Sequence, residues 1–169
     1  MNADTTKKLL LIDGHSILNR AFYGVPDTFT NKEGLHTNAV FGFLNILFSI
    51  LEEEKPEYLM IAFDVHAPTF RHEIYKEYKG TRKPMADELR EQVPVMKDLL
   101  RAMNITLAER AGLEADDILG SMAKQSEAKG IEVSLVSGDR DLLQIASDHI
   151  KVRIPKTKAG KTQIEDYYA

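Results

Sequence analysis

Lys8-Leu9-Leu10-Leu11-Ile12-Asp13-Gly14 is the stretch that decides the fold. Its apolar run is short, has no polar alternation and stops at an acid and a glycine. Such a run reads as a strand buried on both faces, ended by a turn. The pattern returns twice: Tyr58-Leu59-Met60-Ile61-Ala62-Phe63 stops at Asp64, and Val133-Ser134-Leu135-Val136-Ser137 runs into Gly138-Asp139. Ile150 to Ile154 reads as a fourth strand. Helical spacing fills the gaps. Thr37 to Glu53 repeats apolar residues at Val40, Phe41, Leu44, Leu47, Phe48 and Leu51, and Pro56 follows it. Asp87 to Met103 does so through Leu89, Val93, Met96, Leu99 and Leu100. Glu114 to Ala128 opens with acids and closes at Gly130, and Asp141 to Ala146 reads as a short helix. Strands alternating with helices predict an α/β fold, a three-layer sandwich with a mainly parallel central sheet flanked by helices.

Two segments depart from this rhythm. His66 to Met85 has no clean period, is rich in charge and contains Pro68, Gly80 and Pro84, so it reads as an excursion of loop and short helix. Ile164-Glu165-Asp166-Tyr167-Tyr168-Ala169 reads as a helix just beginning, as expected of a piece of a longer protein.

The 169 residues favour one domain, and 43% apolar composition is enough to build its core. The chain has no cysteine, which excludes disulfides and thiolate metal sites and leaves only oxygen or histidine ligands. The apolar run near the N-terminus is too short for a leader, and no stretch approaches the ~20 apolar residues of a membrane helix. A soluble, cytoplasmic protein is expected, with no stripe that demands a dimer and therefore a monomer. A net charge of −4, from 26 acids against 22 bases, argues by itself against a nucleic-acid partner. The distribution argues otherwise. Arg71, Lys76, Lys79, Arg82 and Lys83 cluster in the excursion, and Lys151, Arg153, Lys156, Lys158 and Lys161 cluster near the C-terminus. Taken singly, each cluster is ordinarily a solvated face.

Asp13, Asp64 and Asp139 each follow the end of an apolar strand. In an open parallel sheet those ends share one edge, where ligands bind. Glu114, Asp116 and Asp117 start a helix, and Asp141 lies two residues beyond Asp139. Any one of these acids is ordinarily a cap, a turn former or a dipole partner. As a set they would repel: like charges about 4 Å apart cost about 1 kcal/mol per pair even in water. Such a cluster needs divalent cations or raised pKa values. Hard oxygen ligands without cysteine select Mg²⁺ or Mn²⁺ over zinc. A carboxylate-held pair of such ions suits phosphoryl chemistry. The basic excursion would then cover the cleft, with Lys or Arg at phosphate and Tyr75 and Tyr78 as stacking faces. For both tyrosines packing under a loop is an equal alternative, and His15 is ordinarily a capping or loop residue. A phosphoacceptor receiver would use a smaller, less dispersed acid set. A haloacid-dehalogenase-like phosphatase would need D-x-D where this chain has Asp13-Gly14-His15.

LLLIDGHSILNRAFY from Leu9, AVFGF from Ala39, AFDVHAPTFRHEIYKEYKGTRKP from Ala62, GLEADDILGSMAK from Gly112 and VSGDRDLLQI from Val136 follow one another along nearly the whole chain. Together they resemble the 5′-nuclease domain of bacterial DNA polymerase I, a relative of the flap endonucleases with a PIN-like fold. The resemblance implies metal ligands at Asp13, Asp64, Glu114, Asp116, Asp117, Asp139 and Asp141. The first ion would draw on Asp64, Glu114 and Asp116 with Asp13 close by, the second on Asp139 and Asp141. It implies a DNA path along Arg20, Lys79 and Arg82 with Tyr78 beside them. Lys79 and Arg82 would steady the scissile phosphate, Arg71 would contact phosphate, and Lys83 would join them. It further implies DNA with 5′ ends or flaps as substrate and a covalently linked polymerase module in the parent protein. The family continues with a GD-x-x-DN motif and a helix–hairpin–helix region. With the chain ending at Ala169, the second metal site is expected to be incomplete and cleavage weak or absent. Two other readings stand beside this one: a DNA-binding module with a structural metal, and a PIN-type ribonuclease.

Overall fold

The structure, a computed structural model, describes residues 6–65, 70–75, 83–158 and 161–168, and the side chains of all of these but 72, 157, 158 and 161–163. The strands are β1 (Lys8–Asp13), β2 (Tyr58–Ala62), β3 (Thr106–Ala108), β4 (Glu132–Val136), β5 (Ile150–Lys158) and β6 (Lys161–Tyr167). The helices are α1 (Gly14–Gly24), α2 (Asn38–Glu54), α3 (Phe70–Ile74), α4 (Asp87–Arg90), α5 (Gln92–Ala102) and α6 (Ala115–Glu127), with a 3-10 helix at Arg140–Ile145. They form one sheet in the order β3-β2-β1-β4-β5-β6. All pairings are parallel except that of β5 with β6.

The uninterrupted apolar strands are explained by what lies on each side. Leu10 and Ile12 of β1 face a core built with Ile17, Leu18, Ala39, Phe43, Leu47, Met96 and Leu100, from α1, α2 and α5. Leu9 and Leu11 face the opposite core with Ala115, Leu119, Ala123 and Leu142, from α6 and the 3-10 helix. Both faces of β1 are covered, so the period-two signal disappears. Each buried leucine or isoleucine contributes on the order of 1.5–3 kcal/mol. The three-layer α/β architecture expected from the sequence is the one observed.

Four local readings are corrected. First, α1 follows β1 directly, where only a turn was expected: Asp13 ends the strand and also caps the helix, accepting from the Ser16 amide. Second, the expected helix Asp87–Met103 is interrupted after Arg90. Pro94 has no N–H to give the Arg90 carbonyl, which removes the bond that would join the two pieces. Third, Thr106–Ala108 adds a short strand beside β2 that its length concealed. Fourth, the C-terminal segment is strand, not helix. Glu165 and Asp166, read as first-turn acids, instead pair with Lys156 and Arg153 across the β5–β6 hairpin. The short helix α3 lies within the excursion, as expected.

Two cations of the second basic cluster, Lys151 and Arg153, are also explained there. Lys151 lies 3.0 Å from Glu54, and the buried Arg153 reaches Glu54 at 2.6 Å, Glu53 at 2.8 Å and Asp166 at 2.8 Å. These cations are consumed by an internal network between α2, β5 and β6, with Ser134 donating to the other Glu54 oxygen at 2.8 Å.

Candidate active site

The strand order reverses between β1 and β4: the chain moves outward from β1 through β2 and β3, then returns to the other side of β1. Ligand crevices open at such a reversal, beyond the carboxyl ends of the strands. Register places Asp13 opposite Ala62 and Ile12 opposite Val136, so the residues that follow β2 and β4 emerge on either side of Asp13. A cleft of about 1720 Å³ opens there. Its lining includes Asp13, Asp64, Glu114, Asp116, Asp117, Asp139 and Asp141. The structure thus brings to one cleft all seven acids singled out from the sequence.

Each acid is placed by local backbone chemistry. Asp13 is buried, and both its oxygens are held: Oδ1 by the Ser16 amide at 3.2 Å and Oδ2 by the Ser137 hydroxyl at 2.9 Å. Asp64 accepts from the Ala115 amide at 2.7 Å, which ties the end of β2 to the start of α6. Glu114 caps α6 in a reciprocal box with Asp117, whose Oδ2 accepts from the Glu114 amide at 3.0 Å. Asp139 caps the 3-10 helix and accepts from the Asp141 amide at 2.9 Å, while the Asp141 side chain points to solvent. Two glycines allow the close packing. A Cβ on Gly14 would lie 2.5 Å from the Phe63 ring, and one on Gly138 would lie 2.8 Å from the Ser16 hydroxyl.

The electrostatics show how near these acids stand. Burial, then the charges of Asp13 and Asp139, a hydrogen bond with Asp139 and the charge of Asp64 push Asp116 up to about 7. The Asp13 carboxyl is also raised, chiefly by burial. Its serine hydrogen bonds oppose that rise, and Asp64 adds to it. Without a cation, then, Asp116 holds a proton near neutrality. The donor set is entirely hard oxygen, and it concentrates negative charge that a divalent ion would neutralise, so the residues fit Mg²⁺ or Mn²⁺. Among the described residues no three acidic or histidine side chains already close around one point. Loading would displace the Asp116 proton and turn carboxylates now directed at amides and hydroxyls.

The basic residues divide. Lys83 is exposed and lines the cleft. Arg71 lines it too, but its guanidinium forms a fork on Asp117, at 2.9 and 2.8 Å, and lies 3.8 Å from Glu114 Oε2. Both oxygens of Asp117 are therefore engaged by Arg71. Arg20 lines a neighbouring hollow between α1 and α2, with its guanidinium reaching toward Gly138 at the cleft's edge. Tyr78, Lys79 and Arg82 lie outside the described residues, as does Lys76. Tyr75 is exposed at the end of α3. His15 stacks edge-on against Phe63 at 5.3 Å and meets the Asp64 carbonyl at 3.3 Å. Sequence reasoning passed over Ser16 and Ser137, whose only signal was a hydroxyl within three residues of a strand-end acid. It also passed over Arg140 and Lys97, which line the cleft.

A six-stranded, mainly parallel sheet flanked by helices, with an acid-lined crevice at its reversal point, is an α/β architecture like that of a 5′-nuclease core. The chain belongs to the 5′-3′ exonuclease N-terminal, resolvase-like domain family, which it matches over residues 8–169. It is 50% identical to DNA polymerase I of Bacillus caldotenax over 161 residues, 95% of this chain and 18% of that protein. It is 48% identical to DNA polymerase I of Bacillus subtilis (strain 168) over 161 residues, again 95% of this chain and 18% of that protein. The chain thus spans less than a fifth of the length of these relatives. Among solved structures, zinc-bound T5 5′-exonuclease superposes with a TM-score of 0.67 at 18% identity, covering 96% of this chain and 58% of that one. The bacteriophage T5 flap endonuclease in a pseudo-enzyme–product complex with DNA and metal ions gives 0.66 at 21% identity, covering 86% and 54%. At these identities the likeness shows the fold. Among the described residues no helix is long and apolar enough to cross a membrane.

Proposed function

We propose that this chain is the nuclease core of a DNA polymerase I-type protein. In this reading it hydrolyses DNA phosphodiester bonds at 5′ ends and flap junctions with Mg²⁺ or Mn²⁺. One observation carries the proposal: acids from β1, the ends of β2 and β4, and the start of α6 line one cleft, where they lift Asp116 to about 7. A structural protein gains nothing from such crowding, whereas a site for divalent cations needs it.

Asp64, Glu114 and Asp116 would hold the first ion with Asp13 beside them, and Asp139 and Asp141 the second. When bound, such ions supply Lewis-acid stabilisation of charge at a scissile phosphate and acidify water. The chain's own residues do the rest. Asp116 gives up its proton as the cleft loads. Lys83, and with it Lys79 and Arg82, offsets phosphate charge, while Tyr78 offers a face to an unpaired base. Arg71 reaches phosphate by exchanging Asp117 for it, and Arg20 approaches from the α1 side. The helix–hairpin–helix region and polymerase module belong to the remainder of the parent, which works in the cytoplasm as a monomer.

The test is a labelled 5′-flap oligonucleotide incubated with Mg²⁺ or Mn²⁺, with and without EDTA, beside an RNA version. Cation-dependent cleavage of the DNA flap is expected. Binding without product in the full-length parent would point to a non-catalytic module, and preference for the RNA flap to a ribonuclease.

Cation affinity should depend on pH in a defined direction. Below about 7 the Asp116 proton competes with the ion; above it the site is already ionised. Apparent Mn²⁺ affinity should rise with pH through neutrality and level off. Calorimetry at pH 6 in buffers of different ionisation enthalpy should detect about one proton released per ion, fading by pH 8.5. No proton release at pH 6 would count against Asp116 as a ligand of the ion.

A further inference from the structure

The two turns that carry the strand-end acids on either side of the sheet reversal are joined by serine hydroxyls. Ser137 is fully buried; its hydroxyl donates to Asp13 Oδ2 at 2.9 Å and accepts from the Asp139 amide at 3.0 Å. Ser16 acts from the opposite turn. Its amide donates to Asp13 Oδ1 at 3.2 Å, and its hydroxyl accepts from the Gly138 amide at 2.7 Å. Asp139 passes the order on by accepting from the Asp141 amide at 2.9 Å. Four hydrogen bonds and the Gly138–Asp139 peptide link therefore close a ring, Asp13–Ser16–Gly138–Asp139–Ser137–Asp13. It closes across the β1/β4 gap, where the backbone ladder ends: β1 and β4 pair only as far as Ile12 with Val136. Beyond that pair, these side chains bridge the two turns where no backbone pairing does.

We infer that Ser137, with Ser16, is a positioning residue that fixes the Asp13 rotamer and its separation from the Asp139 backbone, and so sets how tightly the cleft holds a divalent cation. This rests on the proposed metal-dependent reading of the cleft. Ser137 touches neither substrate nor cation; it acts through the two acids. A hydroxyl is required because it must donate toward β1 and accept from the β4 turn at once, and neither alanine nor cysteine does both well. Threonine retains that capacity. The close approach of Gly138 to Ser16, which a Cβ would obstruct at 2.8 Å, shows the turn drawn tightly onto its partner.

The experiment is Mn²⁺ binding to the chain at pH 8, read by electron paramagnetic resonance of free Mn²⁺, with thermal melting of each metal-free variant alongside. The control is Ser134→Ala, which removes a buried hydroxyl from the same strand, three residues earlier, where it serves the Glu54 ion network instead of the cleft. Ser137→Ala is expected to weaken Mn²⁺ binding about tenfold, as loss of an outer partner of a metal ligand does. Ser134→Ala should bind as wild type despite a comparable loss of melting temperature, and Ser137→Thr should recover most of the affinity. If Ser137→Ala does not fold, Ser16→Ala carries the test with an expected loss of about threefold, since it removes only the Gly138 contact and leaves both hydrogen bonds to Asp13 in place. Equal Mn²⁺ affinity in Ser137→Ala, Ser16→Ala and wild type would overturn the inference and leave the metal reading intact. Failure of the wild-type chain to bind Mn²⁺ at all would overturn that reading and the inference with it.

Discussion

Asp116→Asn is expected to cut cleavage of a DNA flap by about a thousandfold or more in the full-length parent, while the metal-free chain melts no lower than wild type. Both halves follow from one feature. Asp116 is raised to about 7 by burial, by Asp13 and Asp139, by its hydrogen bond with Asp139, and by Asp64. Its unfolded value is 3.8, so between that value and about 7 the folded chain binds more protons than the unfolded one. The sign is therefore unfavourable to folding as pH rises: stability present below pH 4 is lost through the approach to neutrality, and a bound cation offsets the loss. Asparagine keeps the shape and removes the charge. At pH 8 in EDTA the variant should melt at or above the wild-type temperature, while Mg²⁺ should raise wild-type melting and leave the variant nearly unmoved. A functional residue that its own scaffold would be more stable without is the mark of a stability–activity trade-off. Near-normal cleavage by Asp116→Asn would remove it from the machinery.

The second large effect lies on the far side of the sheet. Arg153→Ala should destabilise the fold by about 3–5 kcal/mol, because it leaves carboxylates buried without their cation. The Arg153 side chain is 3% exposed and satisfies Glu54, Glu53 and Asp166 together. A drop in melting temperature on the order of 10 °C is expected for a chain of this length. Adding Glu54→Gln to Arg153→Ala should recover part of the loss, since the most buried unpaired charge is then gone. This network has the opposite pH sign to the cleft. Burial alone would raise Glu54, but hydrogen bonds from Lys151 and Ser134 and the nearby cations leave it lowered. Its contribution is thus present above about pH 4.5 and lost on acidification.

What the sequence made legible follows from how local each signal was. The strands that end in Asp13, Asp64 and Asp139 could be read because a two-sided buried strand leaves an unbroken apolar run. Parallel packing then requires their ends to meet, whatever the sequence distance. The α1 helix escaped because Asp13-Gly14 looks like a turn, when the aspartate is a helix cap and the glycine makes room for the Phe63 ring. The β6 strand escaped because Glu165-Asp166 imitates a helix's first turn; the partners that make it a strand, Lys156 and Arg153, are supplied by tertiary pairing. Asp117 illustrates the limit at the site itself. Its place in the cleft was legible, but its fork with Arg71, 46 residues away, was not. Ser16 and Ser137 were invisible as functional residues because a serine beside a turn is ordinary. Only the ring they close with Asp13 and Asp139 distinguishes them.

The most direct test is a crystal of this chain soaked in Mn²⁺, with the ions located by anomalous scattering. The account predicts Mn²⁺ in the cleft at the β1/β4 reversal, with Asp116 and at least one of Asp13, Asp64 and Glu114 among its ligands at about 2.2 Å. A cleft that stays free of Mn²⁺ at saturating concentration, with Asp116 still paired to Asp139, would contradict it.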